Sequence, residues 1–159
     1  MAEVFTLKSK RRALLVTFAT NSDFENRRPV TNEELELLVD RFYGKVREDA
    51  VLGPVFNKAV DDWPEHLQKL SAFWSSVMLT TGRYKGNPMA AHLKHGELIE
   101  PAMFGRWLHL WRDTARETLT EFGAAGVIAK AERIAESLQL GLFFRLEPGE
   151  TKDPEIRRN

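Results

Sequence analysis

Asn87-Pro88-Met89-Ala90-Ala91-His92-Leu93-Lys94-His95 lies between two long helical patterns that carry most of the aromatic residues. Pro88 suits the first turn of a short helix, because its fixed φ and missing N–H cost nothing there. His92 stands one turn further on, and Gly96 ends the segment. A neutral imidazole at that place can ligate a metal. A single helical histidine is more commonly a solvated or hydrogen-bonded side chain, so the surroundings have to decide.

Working outward, the flanking segments read as helices with wide apolar stripes. Upstream, Asp61 and Asp62 introduce a helix that tolerates Pro64 in its first turn and favours acidic groups at its positive end. Its stripe is Trp63, His66, Leu67, Leu70, Trp74, Val77 and Met78, widened by Phe73, and it stops near Thr81-Gly82 with glycine as the terminator. Downstream, Pro101 opens a helix whose stripe is Phe104, Trp107, Leu108, Trp111, Ala115, Leu119 and Phe122, broken by Gly123 and Gly126. Val127, Ala131, Ile134, Ala135, Leu138 and Leu142 define a last helix. Further upstream, Thr31-Asn32-Glu33-Glu34 has the capping-box form, and Leu35, Leu38, Val39, Phe42, Tyr43 and Val46 follow at helical spacing. Between the first two long helices, Gly53-Pro54 marks a sharp change of direction, with Phe56 just past it. Four long helices, one short one and no sheet predict an all-α domain. Leu14 to Phe18 carries the one hint of a strand.

Composition narrows the function classes. Lys+Arg 23 against Asp+Glu 23 gives a formal net charge of zero, which removes the electrostatic case for nucleic acid or an anionic membrane. Zero cysteines excludes disulfides, iron–sulfur clusters, thiolate-ligated haem and covalent c-type attachment. No apolar run approaches the roughly 18 residues needed to span a bilayer. The 159 residues divide into an N-terminal extension (1–30), a main domain (31–146) and a polar C-terminal tail (147–159). Lys8 to Arg12 (KSKRR) followed by Ala13 to Ala19 (ALLVTFA) has the outline of an export signal. The apolar run is at the short end of the usual range of about 7–15 residues, and no small-residue cleavage site follows. The reading preferred is an extra N-terminal element packed on the domain of a cytoplasmic protein.

A haem pocket needs one axial ligand, a flat apolar slot and some control of the opposite face. His92 can supply the ligand, and Phe56, Leu70, Phe73, Met89 and Trp107 the slot. Tyr43, His66 and Trp107 sit on the inward stripes of three different helices, so their polar tips can converge. Periodicity does not prove that they do: aromatic stripes at helical spacing are more often core packing, a core-edge tyrosine or a satisfied core histidine. His92 and His95 also have the spacing of a non-haem metal pair, but no nearby carboxylate pattern completes such a site.

Several strings in order resemble the group III truncated haemoglobins. They are Phe42-Tyr43-Gly44-Lys45-Val46-Arg47-Glu48-Asp49 with Leu52-Gly53-Pro54-Val55-Phe56, and Asp62-Trp63-Pro64-Glu65-His66-Leu67 leading to Phe73-Trp74-Ser75-Ser76-Val77. Tyr84-Lys85-Gly86-Asn87-Pro88-Met89-Ala90-Ala91-His92-Leu93 is similar to that family's proximal-histidine segment, and Phe104-Gly105-Arg106-Trp107-Leu108-His109-Leu110 to its distal-tryptophan helix. The similarity runs from about Glu33 to Arg145. It implies a shortened globin in which two helix pairs sandwich a b-type haem. His92 becomes the proximal iron ligand, Tyr43 the main hydrogen-bond donor to bound ligand, Trp107 the second donor, and His66 a distal histidine that gates access. Phe56, Leu70, Phe73, Tyr84, Met89 and Trp107 join His92 as the cofactor-binding set. His95 departs from the pattern, standing where an apolar residue is more usual, and either faces water or meets a propionate.

The resemblance also implies ligands: O2, CO and NO, or anions such as cyanide, with a reductase as partner and nitric oxide dioxygenase or peroxidase-like turnover as candidate chemistry. Two competing readings are a haem-based sensor that signals through the N-terminal segment, and a cofactor-free helical interaction module whose aromatics merely fill the core.

Overall fold

The computed structural model describes residues 25–144. The strand hint at Leu14 to Phe18, the Lys8 to Ala19 segment and the tail from 147 lie outside the described residues. Within them every regular element is helical.

Helix α1, Asn32–Glu48, is the element on which three of the other helices pack. The capping box forms as expected: Thr31 Oγ1 accepts from the Glu34 N–H at 3.2 Å, and Glu34 Oε2 accepts from the Thr31 N–H at 2.9 Å. Arg28 adds a two-pronged ion pair to Glu34, at 2.9 and 2.7 Å. The stripe Leu35, Leu38, Val39, Phe42, Tyr43 and Val46 is buried in full.

Gly53-Pro54 is more than a corner. It begins a further short helix, α2, Gly53–Ala59, which periodicity missed because seven residues hold too few turns to show a stripe. Only glycine fits at its start, since a Cβ on Gly53 would stand 2.7 Å from the Arg47 carbonyl oxygen.

Helix α3, Trp63–Leu79, starts where its acidic prelude predicts, with Asp62 Oδ1 accepting from the Glu65 N–H at 2.9 Å. Its end differs. The chain turns left-handed first at Thr80 (φ 57°), a β-branched residue, and again at Gly82 (φ 65°). The loop is then secured by side chains, with Ser76 Oγ accepting from the Tyr84 N–H at 2.9 Å and Ser75 Oγ bonded to Asn32 Oδ1 at 2.7 Å.

After α4, Pro88–Lys94, and a 3-10 turn at Gly96–Leu98 come α5, Pro101–Thr118, and α6, Glu121–Phe143. The expected break at Gly123 and Gly126 is misplaced. Leu119 and Thr120 are extended, Thr120 Oγ1 caps α6 by accepting from the Gly123 N–H at 3.1 Å, and both glycines lie inside the helix. They permit close packing: a Cβ on Gly123 would meet Val30 Cγ1 at 2.8 Å, and one on Gly126 would meet Met78 Cε at 3.2 Å. Phe122 consequently leaves the α5 stripe and points outward from the first turn of α6, 55% exposed.

Helices α1 and α3 pack together, α5 packs on both α1 and α6, and α4 rests on α6. Tryptophans knit the centre. Trp74 stacks on Trp111 at 4.4 Å between ring centres, and Trp111 on Trp107 at 5.3 Å. The Trp111 indole N–H donates to the Val127 carbonyl at 3.3 Å. No helix among the described residues is long and apolar enough to cross a membrane.

Candidate functional site

Helix α4 presents His92 in a defined chemical state. Asn87 caps it, its side-chain oxygen accepting from the Ala90 N–H at 3.1 Å, and Pro88 fills the first position. One turn later, His92 Nδ1 lies 2.7 Å from the Pro88 carbonyl oxygen. A carbonyl only accepts, so Nδ1 carries the proton and the neutral ring keeps its lone pair on Nε2. That nitrogen is the one left for a metal.

His66, on α3, lies edge-on to Tyr43 at 6.1 Å and to Trp63 at 5.7 Å. It is half-buried, and its pKa is pushed below the ordinary value, first by burial and then by the charges of Lys69 and His92. Helices α3 and α4 make little or no direct contact, each being held by other helices.

Tyr43 closes the α1 side. Its ring is 4% exposed and meets Phe56 at 5.8 Å, His66 at 6.1 Å and Phe42 at 4.8 Å. Burial drives its hydroxyl pKa well above the usual phenol value, while the Trp107 indole N–H pulls the other way from outside the geometry of a formed hydrogen bond. A neutral phenol in such a place is a donor seeking an acceptor. Phe42, edge-on to both Tyr43 and Trp107 at 4.8 and 5.0 Å, sets the spacing between these two polar tips.

The apolar residues named from the sequence divide into two groups. Phe56, Leu70, Phe73 and Trp107 are half-buried against the main core, beside Leu67. Tyr84 joins them through an edge-on contact with Phe73 at 5.3 Å. Met89 belongs instead to a second cluster on α6, with Phe104, Leu138 and Leu142, and its thioether lies over Gly141. His95 caps the end of α4 and is half-buried. Among the described residues no group of three His, Cys, Asp or Glu side chains gathers to hold an ion unaided. The chemistry of the residues fits a metal whose other ligands arrive with it: His92 offers one ring nitrogen, and Tyr43, His66 and Trp107 offer polar tips beside half-buried apolar rings.

One functional pair escapes sequence reading. Asp49, its side chain 5% exposed, receives Arg106 Nε at 2.8 Å and Nη2 at 2.5 Å on one carboxylate oxygen. Its other oxygen accepts from the Val51 and Leu52 N–H groups at 3.0 Å each. Those four bonds hold the carboxyl below its ordinary pKa, Arg106 contributing most. They also tie the end of α1, the start of α2 and the first turns of α5 into one unit, and those elements carry Tyr43, Phe56 and Trp107. Nothing local in the sequence marks Asp49 and Arg106, which are 57 positions apart, as partners.

Comparison with known proteins agrees with the geometry. The chain is 31% identical over 118 residues to the group 3 truncated haemoglobin ctb of Campylobacter jejuni, covering 72% of this chain and 92% of that protein. The crystal structure of the group III truncated haemoglobin from Campylobacter jejuni superimposes with a TM-score of 0.65 at 31% identity, over 74% of this chain and 96% of the other. A scan against protein-family models finds no match.

Proposed function

The chain belongs to the group III truncated haemoglobins, and on that premise we propose that it holds a b-type haem through His92 Nε2 and binds O2 and other small ligands in the cytoplasm. The observation that carries this reading is His92 itself. Its Nδ1 lies 2.7 Å from the Pro88 carbonyl oxygen, which leaves Nε2 as the ring nitrogen free for a metal. Haem, when bound, would supply the iron that takes up O2, CO, NO or an anion such as cyanide.

Every other part of the function falls to this chain's own residues. Tyr43 stays protonated throughout the physiological range because its pKa is raised, so its hydroxyl donates to bound ligand. Trp107 is a donor only, and gives a second hydrogen bond. A hydrogen bond to a charged acceptor is worth about 1.5–3 kcal/mol, so two such donors favour slow ligand release. That suits chemistry on the ligand, turnover of nitric oxide or peroxide with a reductase supplying electrons, better than oxygen delivery. His66 is neutral at pH 7 because its pKa is lowered, and acts as the gate on the same face. Phe56, Leu70, Phe73, Tyr84 and Met89 contact the porphyrin.

Titration of the purified chain with hemin tests this. A Soret band that saturates at one equivalent, and shifts on reduction and on CO, is expected. His92→Ala should retain little haem, with binding restored by added imidazole. A chain that stays colourless with excess hemin overturns the reading.

A further inference from the structure

Phe122 borders an almost wholly apolar hollow shared with Pro29, Val30, Met78, Ala125 and Gly126. Ala125 continues that surface into a second hollow with Ile128 and Ala129. Helix α6 is therefore apolar on two sides, because Ala124, Val127 and Ala131 already face the core. A helix apolar on both sides is covered on both.

The path of the chain selects the cover. Pro29 and Val30 form one wall of the hollow, and the described residues begin at residue 25, four positions before Pro29. Ahead of them, Ala13 to Ala19 (ALLVTFA) is the apolar part of the extension. Five residues separate Ala19 from Glu25, a reach of at most about 20 Å, which lets the chain turn back toward Pro29 and Val30. The C-terminal tail does not qualify. It is polar, and it leaves from the far end of α6, about 30 Å from Phe122 at 1.5 Å per residue.

We propose that Ala13 to Ala19 of the same chain packs into this hollow as a strap across α3 and α6. The chain has no cysteine, so one introduced thiol reports on the site without background. In the full chain, Ala125→Cys should react with a thiol reagent about tenfold more slowly than when Leu15→Asp and Phe18→Asp are also present, as for a group exposed only by local opening. Ser137→Cys, on an exposed part of α6, should react at one rate in both backgrounds. Equal rates for Ala125→Cys in the two backgrounds overturn the proposal. So does slow reaction that becomes fast on dilution, which assigns the hollow to a second copy. Independently, Leu15→Cys with Ala125→Cys should be joined within one chain by a short bis-maleimide, far more efficiently than Leu15→Cys with Ser137→Cys. Cross-linking between chains only, or no preference between the two pairs, overturns it too.

Discussion

Asp49 and Arg106 meet at 2.5 Å where the end of α1 reaches the first turns of α5, and the carboxylate is the more deeply buried of the two, 5% exposed against 44%. The pair ties α1, which carries Tyr43, to α5, which carries Trp107, and so fixes the helices of the two donors proposed above. Asp49→Asn keeps the shape and removes the charge, and should cost about 1–3 kcal/mol of stability, the scale of hydrogen bonds to a charged group. The folded carboxyl has a depressed pKa, so its contribution is present above the unfolded value of about 4 and is lost as pH falls through the lower folded value. Thermal melts at pH 7 should separate Asp49→Asn from the parent, and melts near the folded pKa should bring them together. An equal gap at both pH values would show that charge is not what matters there.

Tyr43→Phe deletes a hydroxyl that makes no formed hydrogen bond among the described residues, so folding stability should hold or rise slightly. Ligand retention should suffer instead. Losing a bond of about 1.5–3 kcal/mol predicts O2 dissociation roughly ten- to a hundredfold faster, measured by stopped-flow displacement with CO. An unchanged rate would remove Tyr43 from its proposed role.

His66 has a pKa below the ordinary value near 6.5, burial being the main cause and Lys69 the next. The unfolded chain protonates this residue first as pH drops. The stability the fold gains by keeping it neutral is thus fully present above about pH 6.5 and lost as pH falls through the folded pKa. An NMR titration of the ring proton should place the His66 midpoint below the ordinary value near 6.5, and Lys69→Ala should move it upward. A midpoint at or above the ordinary value would contradict the environment described.

Thr80 holds a left-handed backbone with a β-branched side chain, at φ 57° and exposed to solvent. Such strain costs about 1–3 kcal/mol, and glycine, which removes it, returns part of the gain through the extra freedom of the unfolded chain. Thr80→Gly should therefore stabilise by about 0.5–1 kcal/mol, seen as a higher urea midpoint with an unchanged slope.

The reach of sequence reading follows from how local each signal is. Thr31 with Glu34, Asp62 with Glu65, and Asn87-Pro88 are contained within four residues and were legible as helix starts. The burial of Tyr43 followed from a clean stripe on α1. Gly123 and Gly126 misled because a glycine that ends a helix and one that admits a neighbour look alike until Val30 and Met78 are in place. Phe122 was assigned to the wrong helix for the same reason. Helix α2 is too short to carry a period, and Asp49 finds Arg106 only through the fold. That Tyr43 meets His66 was not legible from periodicity, since separate helices leave their relative rotation open.

The stack of Trp74, Trp111 and Trp107 gives the ligand side of the molecule a mechanical character. A ring clamped face to face against a fully enclosed neighbour cannot swing aside by itself, and close-packed interiors yield little to local pressure. Moving the Trp107 ring would therefore mean displacing Trp111 and Trp74 with it, so the stack holds Trp107 where α5 presents it.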